Sequence, residues 1–250
     1  MTEEQHNPRK AVYLLPNLFT TAGMFAGFFS IIASGGGRFE PAAVAILVAL
    51  LLDGVDGRVA RLTHTQTEFG AQYDSLADLV SFGLAPALLM YNWSLVHMAE
   101  LGGQWAKLAW LAAFFYTAMA AMRLARFNVQ IGKVDKRYFL GLASPSAATI
   151  MATFVWTFHD LGFDGSEGVL WGPAMLVTLL TGTLMISPIR YSSFKEPGGA
   201  KGRIPFFGVL VVVLLFILVT IDPPKVILAG FTLYALSGLF AWLMRRRRRG

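Results

Sequence analysis

Apolar residues run along this chain in long blocks broken by short polar stretches. Many blocks reach the roughly 17–25 residues that a helix needs to cross a bilayer. Eight read as spans, at about 17–34, 41–62, 70–92, 107–126, 139–159, 168–187, 205–221 and 225–244. Residues 3–12 carry a weak amphipathic pattern and read as a short interfacial helix. No soluble domain fits between the blocks, no internal repeat is visible, and the longest polar connection is Ser187 to Ile204. The pattern predicts an all-α fold, a polytopic membrane helical bundle with about eight transmembrane helices.

Composition agrees. The chain is 55% hydrophobic and 14% charged, where a soluble domain carries about 25% charge. It contains no cysteine, which excludes disulfides and thiol chemistry. An even number of spans puts both termini on one side. Of the 21 Lys and Arg residues, all but Arg38, Lys107 and Lys225 then fall on that side, while Asp160, Asp164, Glu167 and Asp222 fall on the other. The positive-inside rule makes the termini cytoplasmic. This accounts for the net charge of +6 without nucleic acid. The run Arg245 to Arg249 reads as a stop-transfer anchor that also attracts anionic lipid. No cleavable leader is evident in MTEEQHNPRK. We expect one membrane domain over 1–250, with an N-terminal cytoplasmic or interfacial segment at 1–15 and a basic tail at 245–250.

Four acids interrupt this apolar sequence: Asp53, Asp56, Asp74 and Asp78. One carboxylate at the centre of a membrane helix costs about 2.5–3.5 kcal/mol on insertion scales, so a cluster needs compensation. The second and third spans form an antiparallel hairpin around the polar turn LTHTQTEF. Asp53 and Asp56 are spaced i,i+3, and Asp74 and Asp78 are spaced i,i+4, so each pair shares a helix face. Asp56 and Asp74 each lie nine residues from Thr65; Asp53 and Asp78 lie twelve and thirteen from it. At ~1.5 Å per residue the two helices bring the four carboxylates to similar depth, near the cytoplasmic end. Hard oxygen donors suit Mg²⁺ or Mn²⁺, and four acids can hold two such ions in the arrangement that clamps a phosphoryl group. The bland alternative is an acid-rich hairpin neutralised by Arg58 and Arg61 or by protonation. Gly54, Gly57, Ala60, Gly70, Ala71 and Ala77 surround the acids. Their small size serves either close helix packing or room for a flat ligand.

The pattern Asp53-x-x-Asp56-Gly57-x-x-Ala60-Arg61, then Gly70-x-x-x-Asp74-x-x-x-Asp78, resembles the CDP-alcohol phosphotransferase signature at every position. The runs PNLFTTAG (16–23), DSLADLVSFGLAPA (74–87), RLARFN (123–128), GLASPSAA (141–148) and ISPIRYSSFK (186–195) resemble its phosphatidylserine synthase branch. Ala143 departs from that branch, where proline is common. The resemblance implies phosphatidyl transfer from CDP-diacylglycerol to L-serine with release of CMP. It implies that Asp53, Asp56, Asp74 and Asp78 hold two divalent ions, Mg²⁺ or Mn²⁺, and that Asp78 is also the general base. It places the CDP moiety against Asp53, Asp56, Gly57, Ala60, Arg61, Gly70 and Asp74.

Serine recognition needs a cation for the carboxylate. Arg123, Arg126, Arg190 and Lys195 lie near the cytoplasmic side, and arginine is the better fork, which puts Arg190 first. Asn17, Asn128 and Tyr191 are candidate polar contacts. Ser75 and Ser81 are the only nearby nucleophiles for a covalent route, and nothing beside them looks like an activating base. Of His6, His64, His97 and His159, only His64 in the hairpin turn has a claim on substrate. Expected partners are CDP-diacylglycerol, L-serine, membrane lipids and a second copy of the chain, with no nucleic acid. The expected location is a bacterial-type inner membrane, with the site facing the cytoplasm. The competing readings are the same chemistry on another alcohol (glycerol phosphate, inositol phosphate or choline), a membrane prenyltransferase, and a cation transporter.

Overall fold

The structure, a computed structural model, describes residues 8–62, 67–130, 138–192 and 206–247, and most of these are helical. Helix α1 (Pro8–Gly35) is one unbroken helix, so the separate interfacial segment expected at 3–12 is absent from its described part. Pro16 lies within it without ending it. The helix closes on Gly37, whose φ of 72° is left-handed, while Arg38 N donates to Ala33 O across 2.9 Å. This glycine-based stop turns the chain straight into α2 (Phe39–Leu62).

Helix α3 (Glu68–Asp78) starts at Thr67, whose hydroxyl accepts from Gly70 N at 3.0 Å and caps the first turn. A π-helical segment (Leu79–Leu84) follows, then α4 (Ala85–Trp93). Together they make the expected third span. A 42° bend leads into a short 3₁₀ segment (Leu95–Leu101), and α5 (Gly103–Gln130) returns across the bundle. The wide turn of the π segment frees carbonyls for partners outside the helix. Phe82 O accepts from Tyr116 Oη at 3.0 Å and Gly83 O from Thr117 Oγ1 at 3.3 Å, both on α5.

The chain reaches α6 (Ser144–Asp160) through a short strand, β1 (Tyr138–Leu140). It pairs antiparallel with β2 (Arg190–Ser192), in register Phe139 with Tyr191 and Leu140 with Arg190. The predicted span at 139–159 thus begins as strand. Gly141 at φ 81° and Pro145 in the first helical turn set the change from strand to helix. This ribbon is the exception to an all-α fold among the described residues. α6 is buried on nearly every face and packs against α2, α4, α7 and α9, which makes it the centre of the bundle. α7 (Gly168–Ile186), α8 (Phe206–Ile221) and α9 (Pro223–Arg247) complete the order. α8 packs mainly on α9, and Phe216, Ile221 and Phe240 stand exposed on this side, as membrane-facing residues do.

Each of the eight predicted blocks has a helical counterpart. By length and apolar character, α1, α5, α7 and α9 suffice to cross a membrane, with Glu68–Trp93 and its 3₁₀ extension as a fifth, bent candidate. α2 carries the charged residues of the aspartate motif, and α6 and α8 have 17 and 16 residues, so these three fall short on that measure. The chain is an integral membrane protein; the count of eight crossings rests on the sequence pattern.

Candidate active site

The helical spacing that sets Asp53 and Asp56 on one face of α2 aims them at the face of α3 carrying Asp74. Oxygens of these three carboxylates lie within 4.8 Å of one another. Asp56 is buried, and Asp53 and Asp74 are half-buried. Asp78, the last residue of α3 before the π segment, lines the same two adjoining pockets as the other three. The charges acting on it are those of Asp53, Asp74 and Asp56, opposed by the guanidinium of Arg123.

Among the described residues α2 and α3 barely touch, the two limbs meeting instead where α2 reaches α4 and the π segment, and α1 packs along both. The space left between them is lined by small residues. A side chain built on Gly54 would meet nothing within 4 Å, so this glycine leaves open space and does not serve packing. Gly54, Gly57 and Ala71 all line the larger cavity, which holds about 480 Å³. Gly70 is different. A Cβ there would come 3.1 Å from Thr67 Oγ1 and 3.6 Å from Asn17 Oδ1, which places Gly70 and Asn17 beside each other at the α1–α3 contact. The side chains of Ala60 and Arg61 lie outside the described residues.

Three carboxylates this close repel by a few kcal/mol per pair at an effective dielectric near 20. Their oxygens gather on the wall of the cavity. That donor set fits a hard divalent cation.

The opposite wall of the cavity comes from α5 and the start of α6, including Arg123, Asn128, Ser144 and Pro145. Arg123 Nη1 donates to Ser144 Oγ at 2.9 Å, while its buried Nε has no hydrogen-bond partner within the protein. Asn128 Nδ2 donates to Ser75 Oγ at 2.9 Å, tying α5 to α3. Ser75 Oγ also lies 3.0 Å from Ala71 O. Ser81 Oγ donates to Gly23 O at 3.1 Å. Both serines are therefore held in structural hydrogen bonds.

The other residues expected at the acceptor side are placed differently. Arg126 does not line the cavity. Its guanidinium donates to Ile186 O at 2.9 Å, Leu140 O at 2.7 Å and Met185 O at 3.4 Å, joining β1 to the end of α7. Tyr191 is fully buried against α9, where its hydroxyl donates to Ala235 O at 3.2 Å and its ring fills the space left by Gly238. Arg190 is placed by its backbone in β2, with its side chain outside the described residues, as are Lys195, His6 and His64. His159 packs edge-on against Phe39, and His97 lies 3.8 Å from Glu100, neither lining the cavity.

Two contributors were not legible in the sequence. Thr20 donates a buried 2.9 Å hydrogen bond to Asp56 Oδ2, and Ser144 holds Arg123. Both sit inside runs that resemble the family, PNLFTTAG and GLASPSAA, but nothing local marks which hydroxyl meets a charge.

The sequence pattern of the CDP-alcohol phosphatidyltransferase family matches residues 13–184. The chain is 34% identical to the CDP-diacylglycerol–serine O-phosphatidyltransferase of Helicobacter pylori over 94% of both chains. It is 32% identical to the protein of that name from Methanocaldococcus jannaschii, over 60% of this chain and 63% of the relative. It is also 32% identical to the archaetidylserine synthase of Methanothermobacter thermautotrophicus, over 74% of this chain and 72% of the relative.

Proposed function

This chain belongs to the CDP-alcohol phosphatidyltransferase family, and on that premise we propose that it transfers the phosphatidyl group of CDP-diacylglycerol to the hydroxyl of L-serine, giving phosphatidylserine and CMP. The observation that carries this is the convergence of Asp53, Asp56 and Asp74, with Asp78 on the same cavity.

Asp53, Asp56, Asp74 and Asp78 would hold two divalent ions, Mg²⁺ or Mn²⁺. Bound there, the ions would neutralise the diphosphate oxygens and help CMP depart. Gly54 and Gly57 keep the wall beside the acids low, which leaves room for the nucleotide; Ala60, Arg61 and Gly70 join them by resemblance. Asp78, at the end of the acid row nearest Arg123, accepts the proton of the attacking serine hydroxyl. The reaction is a direct displacement at phosphorus. Ser75 and Ser81, the serines considered for a covalent route, are engaged with Ala71, Asn128 and Gly23, and the chain has no cysteine, which favours the direct route.

Arg123 is the residue best placed for the serine carboxylate. It lines the cavity, Ser144 holds one of its nitrogens, and its Nε is not engaged by the protein. An arginine offered this way can take a carboxylate in two parallel hydrogen bonds. Asn128 lies beside it on the cavity wall. Arg190 and Lys195 remain candidates for the mouth of the site, while Arg126 and Tyr191 hold backbone carbonyls away from the cavity and Asn17 sits at the α1–α3 contact. The site faces the cytoplasm of a bacterial-type inner membrane, where serine and CMP are soluble, and the acyl chains stay in the bilayer. Small-residue helix faces favour a homodimer.

The test is CMP release by the purified full-length protein with CDP-diacylglycerol and divalent metal, comparing L-serine with glycerol phosphate, inositol phosphate and choline. Serine-dependent release with phosphatidylserine as product is the expected result. Release driven by another alcohol would replace the acceptor, and metal transport without CMP would end the enzymatic reading.

A further inference from the structure

Helix α1 bears no acidic residue, yet it touches the acid hairpin at several points. Thr20 Oγ1 donates to Asp56 Oδ2 at 2.9 Å. Thr21 Oγ1 and Tyr73 Oη are 2.8 Å apart, Tyr73 being the residue just before Asp74. Ser81 Oγ, three residues after Asp78, donates to Gly23 O. Gly27 allows this approach, since a Cβ there would lie 2.6 Å from both the Cα and the Oγ of Ser81. α1 is therefore bound to α2 through Thr20 and to α3 and the π segment through Thr21 and Gly23. The acid-bearing helices α2 and α3 have little contact of their own, so α1, together with the packing of α2 and α6 on α4 and the π segment, sets the distance between them.

We infer that Thr20 is a positioning residue for the divalent-ion site: its hydroxyl holds Asp56 Oδ2 so that the other oxygen of that carboxylate points at the ion. This deepens the proposed function and rests on its reading of the acids as metal ligands. Thr20 is 7% and Asp56 5% exposed, so water does not readily substitute for the hydroxyl. Thr20 also lines the small pocket formed by all four aspartates, where about 10 Å³ is accessible. A carboxylate with two free oxygens in so confined a place can turn away from the neighbouring acids to relieve repulsion. A donor fixed on one oxygen from a separate helix prevents that turn. Partners of this kind tune a ligand without touching the metal, and losing one typically costs about 10–100-fold in metal affinity.

The experiment titrates Mn²⁺ into the full-length protein in detergent without substrate, reading free Mn²⁺ by electron paramagnetic resonance. Thr20→Val, which keeps the shape and removes the donor, is expected to weaken binding about 10–100-fold. Thr20→Ser should stay close to the unmodified protein, and so should Thr21→Val, whose hydroxyl meets Tyr73 and no acid. In turnover, Thr20→Val should raise the Mn²⁺ concentration for half-maximal rate and leave KM for serine unchanged at saturating metal. Unaltered Mn²⁺ affinity in Thr20→Val would overturn the inference, as would a loss in Thr20→Ser as large as in Thr20→Val. If Thr20→Val does not accumulate folded, Thr20→Ala against Thr20→Ser isolates the hydroxyl, and equal affinities refute the role. Failure of the unmodified protein to bind Mn²⁺ at all would instead sink the metal reading of the site, and this inference with it.

Discussion

Arg123 Nη1 lies 2.9 Å from Ser144 Oγ, and this bond joins the end of α5 to the first residue of α6 at the wall of the cavity. A guanidinium there faces the acid row while a neutral hydroxyl holds its far side. Ser144 thus pins the arginine through one nitrogen while Asp78 acts on its charge from the acid row, and its unpartnered Nε is left for an anionic group of a substrate.

Arg123→Ala should therefore raise KM for serine more than KM for CDP-diacylglycerol. A hydrogen bond to a charged group is worth about 1.5–3 kcal/mol, so the expected rise is on the order of 10–150-fold. Arg123→Lys should recover little, because lysine lacks the planar fork. Steady-state kinetics with each substrate varied in turn decides it; a larger effect in Arg190→Ala would return the carboxylate site to Arg190.

Asp78→Asn should lower kcat by roughly 10²–10⁴-fold, the usual worth of a positioned general base. CDP binding, measured by equilibrium dialysis, should be partly retained because Asp53, Asp56 and Asp74 remain. A near-normal rate would remove Asp78 as the base.

Chelation should abolish turnover, with Mg²⁺ or Mn²⁺ restoring it, since the clustered carboxylates repel one another and offer a hard donor set for a divalent ion. Metal-independent CMP release would contradict the role given to the acids.

Arg126 has a different signature from Arg123. Its bonds to Leu140, Met185 and Ile186 join the ribbon to α7, and cutting it to alanine leaves those buried carbonyls short of a donor. Arg126→Ala should lower Tm markedly, by a few kcal/mol in stability. Arg126→Lys should recover only part. An unchanged Tm with a selective rise in KM for serine would make Arg126 a ligand after all.

Gly141→Ala tests the connection from ribbon to cavity. Gly141 has φ 81°, its N–H donates to Ile189 O at 2.8 Å, and a Cβ there would run into the backbone carbonyl of Met185. Left-handed geometry alone costs an alanine about 1–2 kcal/mol, and the collision adds to it. Lower Tm and a raised KM for serine are expected together, because Ala143, Ser144 and Pro145 follow directly on the cavity wall.

The acid site was legible early because it is a matter of local spacing. Asp53 and Asp56, like Asp74 and Asp78, share a face in any helix, and a short turn brings the faces together. The π segment at Leu79–Leu84 was not legible. Its apolar surroundings hide a one-residue change in winding, and the donors that use its carbonyls, Tyr116 and Thr117, come from another helix. The strand at Tyr138–Leu140 was hidden likewise, since its partner Arg190–Ser192 lies some fifty residues on.

The candidates for serine show the limit most clearly. Arg123, Arg126 and Arg190 look alike in sequence: cations near the cytoplasmic ends of apolar blocks. Only the packing separates them, turning Arg123 to the cavity and Arg126 to three backbone carbonyls. The sequence by itself determined the membrane class, the order of helices and the row of acids, because hydropathy and helical period act between near neighbours. The tertiary structure decided which arginine lines the cavity, and that a threonine of α1 hydrogen-bonds Asp56. Those are contacts between residues far apart in the chain, and a linear pattern does not encode which side chains meet.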